Sequence, residues 1–269
     1  MNGLPASLAE AIAGGLTVME RRSIAPVERA AQPVTPVLLE EHGAGRLQRV
    51  DGASRLSIKA GNRIDDLYQR TPCRMLFPRS DFGGSLEAVL VNTAGGPTGG
   101  DAIRQSIAVG DGAAGTVTTQ AAEKIYRAAG GRAAVTTDLT VDEGGLLEWL
   151  PQETIAFDGS AFSRTTTLDL TGTARALALE WLVLGRQAHG ETLRRGHLVD
   201  RWRVRRDGRL VWADTLLLDG DIQAVTGCPS QMNGSAALAT VLCAGPDAEA
   251  MRDQARASLA DFDGTGVLG

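Results

Sequence analysis

The sequence predicts a mainly β fold with few helices, and three observations carry that prediction. Apolar residues alternate with polar ones in many short segments, which is the period of a strand with one buried face. The 269 residues include 33 glycines, about 12% against roughly 7% in average proteins, which indicates many turns. Aromatic residues make up only 4%. We therefore expect a core of Leu, Val, Ile and Ala between sheets.

The chain divides into a leader and a β region. Residues 1–42 are rich in Ala and Pro and show no sustained alternation, so we predict a mobile leader. Residues 43–269 show strand-like segments without a Pro- or Ser-rich linker, which predicts a single β domain. No fixed-period repeat is visible, although the pattern also allows a sandwich-like or solenoid-like stack of sheets.

Individual elements can be assigned along the β region. Alternation predicts one strand after Asp101, through Ile103 and Val109, and another over residues 133–141. Residues 201–214 predict a hairpin around Asp207-Gly208, a dipeptide that tolerates the positive φ angles of a type I′ turn. Residues 247–259 follow a proline with apolar residues four apart, which predicts an amphipathic helix.

Composition excludes several classes of function. A net charge of −5, with no basic block, argues against nucleic-acid binding. The longest apolar run, residues 176–185, contains a glutamate and is too short to span a membrane. No secretion signal is evident, so we expect a cytoplasmic protein. Three cysteines without C-x-x-C spacing indicate neither a disulfide framework nor a thiolate zinc site.

Motifs for catalysis are also lacking. The glycine-rich segment 92–101 has neither a Gly-Lys-Ser/Thr sequence nor G-x-G-x-x-G spacing, which favours a structural turn over a nucleotide site. No G-x-S-x-G elbow or H-E-x-x-H motif is present, so pattern alone assembles neither a hydrolase triad nor a zinc protease.

Three carboxylates occupy positions where the alternation calls for apolar side chains. Asp101, Glu180 and Asp214 each share parity with neighbouring apolar residues and are predicted to point inward. A buried carboxylate is costly unless it is paired, hydrogen-bonded or facing water or metal. A buried salt bridge to one of the many arginines and a functional role are both open on this reasoning.

Two further segments are dense in polar groups. Residues 118–128, TTQAAEKIYRA, and residues 147–153, LEWLPQE, lack a nucleophile or a metal-ligand spacing. They fit either a protein interface or a hydrogen-bonded network in the core.

Six motifs occur in a characteristic order: LYQRTPCRMLFPR, LVNTAGGPTGGD, TTQAAEKIYRA, LEWLPQETIAF, LVLGRQAHGET and RWRVRRDGRLVWAD. Together they resemble the urease accessory protein family UreD, also called UreH. The resemblance covers residues 43–245. The chain departs from the family pattern at its C-terminal end, which is apparently short, and in its longer leader.

The resemblance implies a maturation factor that is not itself an enzyme. Members of this family bind the urease apoprotein and the accessory protein UreF, which recruits the GTPase UreG. The family fold is an elongated, β-helix-like stack of sheets. A water-filled tunnel lined in part by acidic residues is thought to conduct nickel toward the urease active site. No permanent cofactor is then expected, because nickel is only in transit.

The resemblance also suggests which residues of this chain matter. Asp101, Glu180, Asp214 and Glu123 correspond to positions on the nickel path, with the salt-bridge alternative still open for Glu123. Structural or interface roles are expected for a second set: Gln120, Lys124, Tyr126, Arg127, Glu153, Arg186 and Glu191. Isolated carboxylates suit such a path because they bind nickel weakly, and a conduit must attract the ion and also release it.

Two alternatives complete the sequence-based view. The chain could be a purely structural adaptor in a urease activation complex. It could also be a β-sandwich enzyme acting on carbohydrates, with Glu148 and Glu153 as acid and base, although few aromatic residues are available to stack against sugars.

Overall fold

A computed structural model describes residues 49–79, 84–228 and 232–252. The fold in this part of the chain is mostly β. Its strands are β1 (Asp51–Lys59), β2 (Arg63–Arg70), β3 (Cys73–Leu76), β4 (Leu86–Asn92), β5 (Ala102–Val109), β6 (Ala114–Thr119), β7 (Glu123–Ile125), β8 (Ala133–Val141), β9 (Leu146–Leu150), β10 (Thr154–Ala156), β11 (Ala161–Leu170), β12 (Arg175–Leu184), β13 (Arg195–Arg206), β14 (Arg209–Asp221) and β15 (Ala237–Ala244). A 3₁₀ turn (Gln187–His189) and a short helix α1 (Ile222–Thr226) accompany them.

The strands form two sheets that the chain visits in turn. The first sheet has the order β14-β13-β11-β8-β5-β1-β2, and the second has the order β3-β4-β6-β9-β12-β10-β7, with β15 also paired to β12. Pairing is parallel between successive coils, as in β5 with β8 and β8 with β11. Each coil therefore contributes a strand to one sheet and then to the other, which makes a β-solenoid-like stack. The predicted β-helix-like stack of sheets is confirmed.

Unequal coil lengths explain why no repeat is visible in the sequence. Residues paired between successive coils of the first sheet are 32, 29 and 36 positions apart, namely Ala102 with Ala134, Ala133 with Phe162 and Ala161 with His197. The coils match in space because loops of different length absorb the difference.

The predicted local elements are largely found. Strands β5 and β8 occupy the two alternating segments, and β13 and β14 form the predicted hairpin. Its turn has positive φ at Asp207 (50°) and Gly208 (76°), the conformation that a type I′ turn requires. Residues 248–252 are helical, which fits the start of the predicted C-terminal helix, and the rest of that helix lies outside the described residues. The predicted leader, residues 1–42, also lies outside them.

Two apolar clusters fill the space between the sheets. The larger contains Leu56, Ile107, Leu139, Leu168 and Trp149, and the smaller is built around a different group: Ile125, Phe162, Leu182, Leu193 and Leu198. Along β12, Ala178 belongs to the first cluster and Leu182 to the second, with Glu180 between them. The core is thus interrupted at one level by polar side chains.

Candidate functional site: a polar row between the sheets

One line of side chains, most of them polar, crosses the inner face of the first sheet. The register pairs one residue from each of six neighbouring strands, in the order Ser54, Gln105, Thr137, Thr166, Trp202 and Asp214. We call this set the polar row. Trp202 is itself part of the larger apolar cluster; the other members lie at a level between the two clusters and alternate along their strands with core residues. Parallel, in-register pairing aligns the first five residues, which are far apart in sequence, and the antiparallel pairing of β13 with β14 adds Asp214.

One hydrogen bond joins two members of the row, and two other members have unpaired polar atoms. Thr137 Oγ1 bonds to Gln105 Oε1 at 3.2 Å. Ser54 Oγ and Trp202 Nε1 are buried and make no hydrogen bond to the described protein. Because buried polar groups are nearly always hydrogen-bonded to protein or water, these two atoms indicate a level of the core that suits water or a polar guest.

A charged cluster adjoins the row at its centre. Arg164 on β11 lies 2.9 Å (Nε) from Glu180 Oε2 on β12, and the same Nε donates to Asp200 Oδ1 on β13 at 3.0 Å. Arg164 Nη2 also bonds Asp200 Oδ2. The side chains of Arg164 and Glu180 are only 7% and 2% exposed. We call these three residues the charged centre.

Glu180 connects the charged centre to the polar row. Its Oε1 accepts hydrogen bonds from Thr166 Oγ1 at 3.0 Å and from Trp149 Nε1 at 3.2 Å. Its Oε2 faces the Arg164 guanidinium but receives no hydrogen bond, since the Arg164 Nε–H points to Asp200. Burial raises the pKa of Glu180, and Arg164 offsets this only in part. Keeping Glu180 ionised therefore costs free energy, and a further cation bound to it would lower that cost.

Arg164 is charged throughout the physiological range. Burial alone would lower the pKa of its guanidinium, but the carboxylates of Glu180 and Asp200 raise it, and the net shift is upward. The salt bridge that sequence reasoning left open for Glu180 is therefore present. It is incomplete, because one guanidinium serves two carboxylates.

Glu123 lies in a cavity at one end of the row. The cavity has a volume of about 160 Å³, and its lining includes Glu123, Asn92, Cys73, Thr119 and Gln105. Asn92 Nδ2 donates to both carboxylate oxygens of Glu123, at 3.1 and 3.2 Å. Burial raises the pKa of Glu123 to about 7, and the hydrogen bond from Asn92 acts in the opposite direction. Gln105 belongs to both the cavity and the row, so the two are contiguous.

Cys73 is the thiol in this cavity. It is buried and unpaired, and burial together with the Glu123 carboxylate raises its pKa to about 11. Such a thiol remains protonated near neutral pH and is a poor metal ligand. Among the described residues, no group of three or more His, Cys, Asp or Glu side chains is arranged to hold a metal ion.

Asp101 is buried as predicted, but its oxygens are already occupied. Oδ1 accepts the backbone N–H of Val50 and Oδ2 that of Thr98, both at 2.8 Å. The carboxylate therefore closes the glycine-rich turn and ties it to the chain before β1. A role for Asp101 on a metal path stays a prediction.

Asp214 has the predicted parity but not the predicted burial. It pairs with Trp202 in the register, yet its side chain is exposed. The reason is its position on β14, the edge strand, where Trp212 and Leu216 on the same face are also only partly covered. Parity fixes the face of a sheet but not whether that face is covered. Asp214 thus occupies the exposed end of the polar row.

The predicted interface residues gather on loops at one end of the coils. Tyr126 packs edge-on against Phe157 at 5.1 Å, and the Arg186 guanidinium lies 4.4 Å from the Phe157 ring centre. Arg186 also pairs with Glu191 at 2.7 Å, and this bond lowers the pKa of Glu191. These contacts join three successive loops, which is a structural role.

The remaining members of that set are less tightly held. Arg127 lies 3.5 Å from Asp158, and the side chains of Gln120 and Lys124 are exposed. The Glu153 carbonyl accepts the backbone N–H of Glu123. Their part in an interface stays a prediction.

Sequence reasoning missed Arg164 and Asp200. Arg164 alternates with Phe162 and Leu168, and Asp200 alternates with Leu198 and Trp202, so the parity test that identified Glu180 also applies to both.

The architecture and the interior together define the class of protein. The chain is a β-solenoid-like protein whose core contains a row of polar residues and a buried, unequally paired charge cluster. A family model described as UreD urease accessory protein matches residues 44–269. The chain belongs to the UreD urease accessory protein family.

Several relatives support this membership. A protein named urease accessory protein UreD from Rhizobium rhizogenes is 45% identical over 214 residues, which is 78% of each chain. Proteins of the same name from Sinorhizobium medicae and Xanthobacter autotrophicus are 44% and 43% identical, over 82% and 85% of this chain and 80% of each relative. Across the described ranges, the helices are too short or too polar to cross a membrane.

Proposed function

We propose that this chain acts in urease maturation without being an enzyme itself. In this proposal it is a cytoplasmic scaffold that binds the urease apoprotein and UreF, and through UreF the GTPase UreG. Its interior conducts nickel toward the urease active site. Membership of the UreD family supports the part in maturation. The conduit rests on one observation, the polar row and the charged centre beside it, which together interrupt an apolar core.

The geometry suggests an order of sites along the path. Nickel would enter at the cavity beside Glu123, pass Gln105 and Thr137, reach Glu180 through Thr166, and leave near Asp214. Neighbouring strands are about 4.8 Å apart, so each step is short enough for an ion to exchange one oxygen ligand for the next. Isolated oxygen ligands bind nickel weakly, which favours release over retention.

The maturation role is tested in cells that carry a complete urease gene cluster. Urease is purified with and without this reading frame, and its nickel content and activity are measured. We expect nickel-loaded urease only when the frame is present. Equal loading in its absence would contradict the proposal.

The conduit is tested by conservative variants of Glu180, which is buried, and Glu123, which is partly buried. We expect Glu180→Gln and Glu123→Gln each to lower nickel loading of urease about tenfold, with unchanged co-purification of UreF. Asp66→Asn, on the exposed pair with Arg55, is the matched control and should load urease normally. Asp101 is not a suitable test, because its loss would leave two backbone amides unpaired.

Full nickel loading by the Glu180→Gln and Glu123→Gln variants would instead favour the structural adaptor. The carbohydrate-enzyme alternative receives no support from Glu148, which lies on the outer face of β9 and accepts a hydrogen bond from Thr116.

A further inference from the structure

The charged centre carries one more negative than positive charge. Arg164 contacts both Glu180 and Asp200, and all three side chains are at least 85% shielded from solvent. Ionised together they sum to −1. A net charge buried in this way is costly unless a proton or a cation compensates for it.

The guanidinium lies in the gap between the sheets. Arg164 and Asp200 are register partners on parallel strands of the first sheet, whereas Glu180 projects from the second sheet. Thr166, two residues along β11 on the same inner face, bonds the other oxygen of Glu180. Arg164 is thus immediately beside the polar row. Glu180 Oε2 faces the Arg164 guanidinium without receiving a hydrogen bond.

A guanidinium and a metal ion cannot share this position. Arginine has no lone pair to offer a metal and keeps its charge at any physiological pH. Two positive charges within a few ångströms of one another repel strongly in a partly desolvated site. An ion that binds Glu180 must therefore move the guanidinium away, and Asp200 holds it when it moves, through Nε and Nη2.

We infer that Arg164 is the resident counter-ion of the interior and that a divalent cation binds at Glu180 by displacing it toward Asp200. Arg164 then acts as a positioning residue that sets how tightly the interior holds a cation. This inference rests on the proposed function for the identity of the ion. It explains how a path with a buried carboxylate remains stable when no ion is passing.

The inference predicts an order of affinities from charge alone. The charged centre carries −1 in the wild type, 0 in Glu180→Gln or Asp200→Asn, and −2 in Arg164→Gln. We expect nickel affinity to follow that order. Arg164→Gln should bind Ni²⁺ about tenfold or more tightly than the wild type, and each carboxylate variant about tenfold or more weakly.

The experiment is calorimetric titration of the purified full-length variants with Ni²⁺ alone at fixed pH and salt. Arg55→Gln and Asp66→Asn remove one partner of an exposed pair in the same sheet and should bind Ni²⁺ as the wild type does. Arg164→Lys retains the positive charge and should restore affinity to within about threefold of the wild type. A purely structural role for Arg164 would change stability but leave these affinities equal.

Arg164→Gln could fold poorly, so a second measurement accompanies the titration. In thermal unfolding, Ni²⁺ should raise the melting temperature of Arg164→Gln more than that of the wild type, because the ion replaces the missing counter-ion. Glu180→Gln and Asp200→Asn each retain one ion pair to Arg164 and carry the test independently. Equal Ni²⁺ affinity in those two variants and the wild type would overturn the inference.

Failure of the inference can be told apart from failure of the proposed function. Affinities that follow charge, with urease loading unchanged in the Glu180→Gln variant, would retain the counter-ion and reject the conduit. Loss of urease loading with equal affinities in all variants would retain the conduit and reject the counter-ion.

Discussion

Glu123 and Glu180 are both glutamates in the interior, and they are stabilised in different ways. Glu123 lines a cavity and is held by the neutral amide of Asn92, whereas Glu180 faces the Arg164 guanidinium in a closed core. Burial raises the pKa of both carboxyl groups. Glu123 can therefore adjust to its surroundings by taking up a proton, while Glu180 depends on a fixed cation. The comparison shows that one protein interior can combine a titratable carboxyl group with a carboxylate that is paired with a fixed cation.

The largest effect should come from removing the fixed cation. Arg164→Gln leaves Glu180 and Asp200 together without a positive charge, and breaking a buried pair in this way typically costs about 3–5 kcal/mol. We expect the free energy of unfolding, from urea denaturation, to fall by that amount. Arg55→Gln, which breaks an exposed pair, should lose less than about 1 kcal/mol. Similar losses in the two variants would remove the contrast between Glu180 and Glu123.

The second effect concerns proton uptake at Glu123. Its pKa rises from 4.5 to about 7 on folding, so the folded state binds the proton more tightly than the unfolded state does. The contribution of Glu123 to the free energy of unfolding of the wild type is therefore largest below pH 4.5. It falls by up to about 3 kcal/mol as the pH rises from 4.5 to 7. Glu123→Gln has no proton to lose and should not show this decline.

Urea denaturation at pH 5 and pH 8 measures that difference. The variant should gain stability relative to the wild type by about 2 kcal/mol between the two pH values. Asp65→Asn, which changes an exposed carboxylate on β2, provides the control and should show no such gain. A parallel pH dependence of Glu123→Gln and the wild type would mean that Glu123 is ionised throughout.

A smaller effect is expected for Glu180→Gln. The amide oxygen can still accept the hydrogen bonds from Thr166 and Trp149, and Arg164 remains paired with Asp200. We expect the free energy of unfolding at pH 7 to change by no more than about 1 kcal/mol. A loss as large as that of Arg164→Gln would show that Glu180 is needed for folding, whatever its role with cations.

The smallest effect should be at the exposed end of the row. Asp214→Asn alters an exposed side chain on an edge strand, and such substitutions usually change stability by about 0.5 kcal/mol or less. The same denaturation series measures it. A larger loss would indicate that the inner face of β14 is covered in solution.

Local patterns in the sequence predicted four strands individually, β5, β8, β13 and β14. The alternation along β5 and β8 and the Asp207-Gly208 turn depend on neighbouring residues, and the structure has them as expected. The burial of Asp101 and Glu180 followed from parity alone. Family resemblance, rather than residue patterns, supplied the stacked coils, because coils of unequal length leave no repeat to detect.

Contacts between coils could not be predicted in the same way. Arg164 meets Asp200 because two strands 36 residues apart pair in parallel, and that register is set by the whole stack. Likewise, Glu123 gains its cavity from β3, β4 and β5, which the sequence places up to 50 residues before it. The exposure of Asp214 depends on what covers an edge strand, which alternation does not encode.

In-register pairing of the strands makes the polar row sensitive to insertions as well as to substitutions. Each of its six strands contributes one residue, so at about 4.8 Å per strand the row measures about 24 Å from Ser54 to Asp214. Adding one residue within β8 or β11 would reverse the faces of the residues beyond it and interrupt the row there. Loops between coils can change length without this penalty. Gaps in alignments of related chains should therefore fall in the loops and spare the strand centres.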